Sequence, residues 1–355
     1  MPDFDMPFNN HNRKPDFNRL KKVLFRDGEP DCLPFFELFA DAEIVQAVTR
    51  KPFDLAPHIE FQVMMGYDYA SCGVAFGYPR NLLGVEDSAQ LSRGQRLFVD
   101  DNHGMIEDRT GFDAYPWPVR PGDAAVYVNE CVSMVPDGMK TLVGMPGGVL
   151  ENVMWLMGYV PFSYAIHDDE QLVFDMFEKI GNDFTHILKQ CLENTEIDKI
   201  GGVVMGDDMG FSHSTMISPE LLRKYVFPWQ KKLVDIAHTY GLPFILHSCG
   251  NLETVMDDLI DYVGIDAKHS YEDKIMPVSE FKKRYGKRVS ILGGVDMNIL
   301  ASQTPDEVRA YTRRVIEQCA PGGGYALGTG NTVANYIPLP NYYAMLDAGL
   351  EWKGR

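Results

Sequence analysis

Long apolar runs are missing from this chain, and no stretch approaches the roughly 20 residues needed to span a bilayer. The opening residues, MPDFDMPFNNHNRKPDF, are polar and contain no signal-peptide core. Paired cysteines are missing too. Cys32, Cys72, Cys131, Cys191, Cys249 and Cys319 lie far apart with no CxxC spacing, which argues against a disulfide scaffold or a zinc ribbon and for a reduced, cytoplasmic setting. Basic residues are in deficit. Thirty-three Lys and Arg against 50 Asp and Glu leave a net charge of −17, which repels phosphate backbones and anionic bilayers and so excludes nucleic acid and membrane surfaces as partners. Finally, no GxGxxG follows a strand, and the glycine pairs lack the Lys and Ser/Thr of a phosphate loop.

What the chain does have is a rhythm. With 355 residues it suits one large domain, and from about residue 140 short apolar runs alternate with longer amphipathic stretches, the pattern of repeated βα units. Strands are predicted at 141–145, 202–205, 243–246, 264–267, 289–292 and 325–327, with helices at 170–192, 219–239, 252–262, 278–285, 305–318 and 340–350. Ser218-Pro219 and Thr304-Pro305 each place a hydroxyl cap before a proline at the first helical turn. Residues 33–38 read as a further strand before a helix from Ala42, and an eighth strand is expected somewhere in 70–130. Eight such units predict an α/β fold, a (β/α)8 TIM barrel over residues 31–355 with an N-terminal extension over 1–30. Residues 55–135 carry no interpretable motif; their aromatics suit either a pocket wall or the surface of a homodimer.

In such barrels chemistry sits where strands end, and these strand ends are polar. Glu37 closes the first, Asp207 and Asp208 follow the 202–205 run, and His247 and Cys249 follow the 243–246 run. Asp266 and His269, Asp296, and Thr329 with Asn331 lie at the later ends, as candidates for binding substrate. His247-x-Cys249 has two readings, a zinc-binding pair or a hydrogen-bonded histidine beside a buried thiol. Its position directly after an apolar run and before Gly250 favours the metal. Glu37 is a candidate third ligand or base against a structural carboxylate. Asp207 and Asp208 suit proton handling, although one of them is expected only to cap the next turn.

The segments GDDMGFSHSTMISPELLRKYVFPWQKKL, GLPFILHSCGNLETVMDDLIDYVGIDAKHSYED, ILGGVDMNIL and GYALGTGNTVANYIPLPNYYAMLD, in that order, resemble the uroporphyrinogen decarboxylase superfamily over roughly residues 140–350. That resemblance implies a (β/α)8 barrel. The decarboxylases carry an Arg-rich loop near the first strand, whereas this chain reads LPFFELFADAEIVQAV there, without arginine. The cobamide-dependent methyltransferase branch is the better match. It implies zinc on His247 and Cys249, a cobamide supplied by a partner corrinoid protein, and a small methylated donor. The branch's later cysteine is absent, with Thr329 in its place, leaving the site to be completed by a carboxylate such as Glu37 or Asp208. Substrate methyltransferases of ether-cleaving O-demethylase systems are similar in this respect, which implies a phenyl methyl ether as donor. A decarboxylase of a smaller acid, and a non-catalytic barrel that carries a corrinoid or tetrapyrrole, are the alternatives.

Overall fold

The computed structural model describes residues 8–100, 102–120 and 122–353. The first seven residues of the expected N-terminal extension lie outside these. Among the described residues nine strands run β1 (Tyr69–Gly73), β2 (Leu82–Glu86), β3 (Gln95–Val99), β4 (Lys140–Gly144), β5 (Ile200–Gly206), β6 (Phe244–His247), β7 (Ala267–His269), β8 (Ser290–Leu292) and β9 (Tyr325–Ala326). Seven of them form one curled parallel sheet in the order β1-β4-β5-β6-β7-β8-β9, with neighbours joined through helical crossovers. Each of these strands is short, and β4, β5, β6 and β8 are rich in Val, Ile and Leu. In β4 to β9 both faces are buried, as expected where helices cover one side and the barrel interior the other.

The closed eight-stranded barrel is corrected to a TIM-barrel-like half-barrel. Residues 33–38 do not form a regular strand. They meet the β9 edge through Phe36 N–H donating to Leu327 O (2.8 Å) and Leu327 N–H donating to Pro34 O (2.9 Å), with one parallel bridge at Phe35. No backbone ladder joins this segment to β1 among the described residues. The Tyr69 side chain explains why: its hydroxyl receives the Glu37 N–H (2.8 Å) and donates to the Glu37 carbonyl (2.7 Å). A phenol thus takes the backbone groups that a closing ladder would use, and Pro34 has no N–H to offer one.

Below the sheet, the helix Phe17–Leu24 buries Phe17, Leu20, Val23 and Leu24 in the core, and Asp16 caps it by accepting from Asn18 N–H. The Ser290 hydroxyl donates to Val23 O at 2.6 Å, tying this helix to the start of β8. Two of the predicted helices are present but change their winding along their length. The stretch 219–239 becomes a π-helical turn Leu222–Val226 followed by the helix Phe227–Thr239, because Pro228 cannot donate to the preceding turn. The stretch 252–262 becomes a short 3-10 turn and the π-helical segment Asp258–Val263, which ends at left-handed Gly264 (φ 85°). That cap delays β7 to Ala267 and leaves Asp266 in front of the strand. No helix of the described residues is long and apolar enough to cross a membrane.

Candidate functional site

The parallel register pairs Gly206 at the end of β5 with His247 at the end of β6, and Asp207 N–H donates to His247 O (2.9 Å). The residues that follow the two strands therefore leave the sheet side by side. Asp208 and Cys249 result from this, and the Cys249 N–H donates to Asp208 Oδ1 at 2.8 Å. His247 Nε2 stands 3.4 Å from Cys249 Sγ and 3.6 Å from Asp208 Oδ1, and the three donor atoms all lie within 4.8 Å of one another.

Histidine tautomers complete the arrangement. His269, at the end of β7, has its Nε2 3.3 Å from Thr329 O, which can only accept. His269 Nδ1 is then an acceptor, and it lies 2.8 Å from His247 Nδ1. His247 must donate there, which leaves its Nε2 lone pair facing Cys249 and Asp208. Burial pushes the His247 pKa down to about 4, so the imidazole is neutral, and pushes the Cys249 thiol up to about 12. Ser270 Oγ (3.4 Å) and Asn331 Nδ2 (3.3 Å) both donate to Cys249 Sγ. Behind them lies the buried ammonium of Lys268, which donates to the carbonyls of Ser248 (3.3 Å), His269 (3.3 Å) and Ser270 (2.6 Å). Its pKa is pushed down to about 8 by burial, against the pull of Cys249 and Asp208.

This cluster opens into a cavity of about 510 Å³ whose walls include Phe36, Phe39, Tyr69, Met145 and Trp155. No Lys or Arg is among its described lining residues, while Glu37, Glu151 and Asp208 are. Glu37 does not join the donor cluster. Its carboxyl accepts from Thr329 N–H (2.8 Å) and the Thr329 hydroxyl (2.5 Å), and complete burial pushes its pKa up to about 8. The Thr329 hydroxyl is thereby committed to Glu37.

The other candidates fall elsewhere. Asp207 is buried outside the cavity wall, accepting from Val149 N–H (3.1 Å), Glu151 N–H (3.0 Å) and Gln230 Nε2 (2.8 Å). It caps the helix Val149–Met157 from another strand, and Gly148 is required there because a Cβ would lie 2.0 Å from Asp207 Cγ. Asp266 stands at the opposite end of β7, where its Oδ2 accepts from Phe244 N–H and pairs with His238 Nε2, both at 2.8 Å. Asp296 caps the helix Met297–Ser302 and also accepts from Asp273 N–H (3.0 Å). These three positions hold the scaffold.

Sequence reasoning missed Glu151 and Lys268. Glu151 is buried in the cavity wall, its Oε2 accepting from Gly148 N–H (3.0 Å), and burial beside Asp208 pushes its pKa up to about 8. The signal for it was weak, since Gly148 has no side chain and Glu151 supplies just the returning half of a capping box. Lys268 carried none, because strand position alone does not reveal which face a lysine takes.

Three comparisons bear on this arrangement. Residues 106–352 match the family model described as uroporphyrinogen decarboxylase (URO-D). A uroporphyrinogen decarboxylase from Pseudomonas fluorescens is 20% identical over 91% of this chain and 87% of its own length. The methylcobamide:CoM methyltransferase MtbA of Methanosarcina mazei is 26% identical over 39% of each chain. Among solved structures, a methyltransferase from Methanosarcina mazei superposes with a TM-score of 0.68 at 14% identity, covering 95% of this chain and 98% of that one, and so shares the fold.

Proposed function

Because this chain belongs to the uroporphyrinogen decarboxylase family, we propose that it moves a methyl group from a phenyl methyl ether to the cobamide of a corrinoid protein. In this reading residues 31–355 act as one catalytic unit and Asp208, His247 and Cys249 hold zinc. The observation that carries the reading is the donor cluster itself, set beside a cavity that has aromatic walls and no cation. Tetrahedral zinc bonds of about 2.0–2.3 Å place ligand atoms about 3.3–3.8 Å apart. The His247–Cys249 and His247–Asp208 separations of 3.4 and 3.6 Å match. Nitrogen, sulfur and oxygen donors suit that ion, and three protein ligands leave one position for substrate.

Zinc bound there supplies a Lewis acid for the ether oxygen, whose leaving ability limits aryl ether cleavage. The chain's own groups do the rest. Phe36, Phe39, Tyr69 and Trp155 hold a flat ring and keep water from it. The Glu151 carboxyl, kept protonated by burial, faces the same cavity and provides a proton for the departing phenolate oxygen. With acidic groups and no Lys or Arg among its described lining residues, the cavity favours a neutral donor, and a polycarboxylate would find no cation there to hold it.

The test combines metal content with turnover. Purified without added metal, the wild type should carry one zinc per chain, lost in His247→Ala and Cys249→Ala and kept in Asp266→Ala, whose substitution lies at the other end of the sheet. Given reduced corrinoid protein and a panel of methoxylated phenols, the wild type should generate the methylcobalamin spectrum. Absence of that spectrum across the panel sinks the donor class, and carbon dioxide release without corrinoid would point to decarboxylation.

A further inference from the structure

Among the described residues Ser270 is the only buried one other than glycine whose backbone is left-handed, at φ 83°. The others of that kind, His11, Asn12, Arg26 and Arg50, are all exposed. A side chain in this region strains the backbone, whereas glycine would sit there freely. Serine brings what glycine lacks, a hydroxyl, and this one donates to Cys249 Sγ at 3.4 Å. The conformation is held from behind. Lys268 Nζ donates to the Ser270 carbonyl at 2.6 Å and to those of His269 and Ser248 at 3.3 Å each. One ammonium thus pins both the residue beside the thiol and the residue between His247 and Cys249.

Lys268 alone among the described lysines and arginines is buried, its ammonium lying 4.6 Å from the Tyr271 ring centre and 5.7 Å from that of Phe281. Carbonyls rather than a carboxylate hold it, and the acidic groups whose charge it feels are Cys249, Asp208 and Glu272. Taking a cation out of water is unfavourable, and an apolar side chain would fill the space without that penalty. Zinc would supply the missing opposite charge, since cysteine binds it as thiolate. We infer that Lys268 and Ser270 are a positioning pair for the donor cluster: Lys268 fixes the Ser270 backbone and stands as counter-charge to the metal-bound Cys249 thiolate, which the Ser270 hydroxyl aims and damps. This rests on the zinc reading given above. Neither residue is among the described lining of the cavity, so both act through Cys249. A thiolate that accepts hydrogen bonds beside a cation gives less electron density to its ion, which leaves zinc a stronger Lewis acid for the ether oxygen. Asn331 Nδ2, 3.3 Å from the same sulfur, adds a second donor.

Cobalt(II) ion, added to the metal-free full chain as a stand-in for zinc, reports on the sulfur directly. Charge transfer from thiolate to cobalt(II) gives a near-ultraviolet band, and its energy rises as hydrogen bonds and nearby positive charge stabilise the sulfur lone pairs. Ser270→Gly deletes the hydroxyl and relieves the backbone, so its melting temperature should match or exceed that of the wild type while the band moves to longer wavelength. Lys268→Met keeps a similar length without the charge and should move the band in the same direction; if it folds poorly, Ser270→Gly decides alone. A role confined to holding the fold predicts no shift, so a band that stays in place in either folded variant overturns the inference and leaves the zinc site standing. A wild type without any thiolate band removes the zinc reading itself, and this inference with it.

Discussion

Replacing Glu37 by glutamine should stabilise the protein by an amount that grows with pH. The carboxyl is fully buried with only Thr329 donating to it, and its pKa stands at about 8 in the fold against 4.5 in the exposed chain. Below pH 4.5 both states carry the proton and the group contributes nothing. Between 4.5 and 8 the unfolded chain loses it while the fold retains it, so wild-type stability falls by about 1.4 kcal/mol per pH unit and levels off above 8. Glutamine mimics the protonated form: its carbonyl can accept from Thr329 N–H, and its amide can donate to the Thr329 hydroxyl. The two proteins should therefore be within about 1 kcal/mol of each other at pH 5, with Glu37→Gln ahead by about 4 kcal/mol at pH 8. Guanidinium denaturation of both proteins across pH 5–8.5 gives the difference curve directly. A flat curve, or a wild type that gains on the variant as pH rises, would refute the reasoning. Either result would mean that the two bonds from Thr329 outweigh burial and keep Glu37 ionised.

Zinc uptake should release about one proton per ion, because Cys249 holds its proton up to about 12 in the free site, and apparent affinity should rise about tenfold per unit between pH 6 and 8. Calorimetry in buffers of differing ionisation enthalpy measures the release, and a value of zero would remove Cys249 from the ligand set. His269→Phe deletes the acceptor for His247 Nδ1–H and should weaken zinc binding about 10- to 100-fold in a chelator competition, with unaltered binding showing that the tautomer is set otherwise.

Much of the fold was legible because βα units carry their signal locally. The runs at 141–145, 202–205, 243–246, 289–292 and 325–327 all coincide with strands to within a few residues, and the helix at 278–285 matches end to end. Failures came where a single residue acts over distance. The Tyr69 hydroxyl on Glu37 prevents the 33–38 segment from closing the barrel, and nothing near Glu37 in sequence announces it. Gly264 shifted β7 by three residues and carried Asp266 to the wrong end, which a helix cap reading of that glycine would have anticipated. In the site, His247, Cys249 and Asp208 were readable because they follow consecutive strands. Thr329 turning to Glu37, and His269 setting a tautomer, depend on the curl of the sheet that brings β7 and the end of β9 together. The antiparallel pair β2–β3 lies in the stretch whose sequence carried no motif, and there the pattern is apolar on both faces rather than alternating.

The donor cluster draws all its members from two adjacent strands, β5 and β6, locked by their shared register. The walls that face the substrate come largely from other parts of the chain: Phe36 and Phe39 before the sheet, Tyr69 in β1, Trp155 in a helix. Over evolutionary time these parts can vary separately. A lineage can exchange wall residues, and with them the molecule the cavity accepts, while the two strands that carry the donor cluster are inherited untouched.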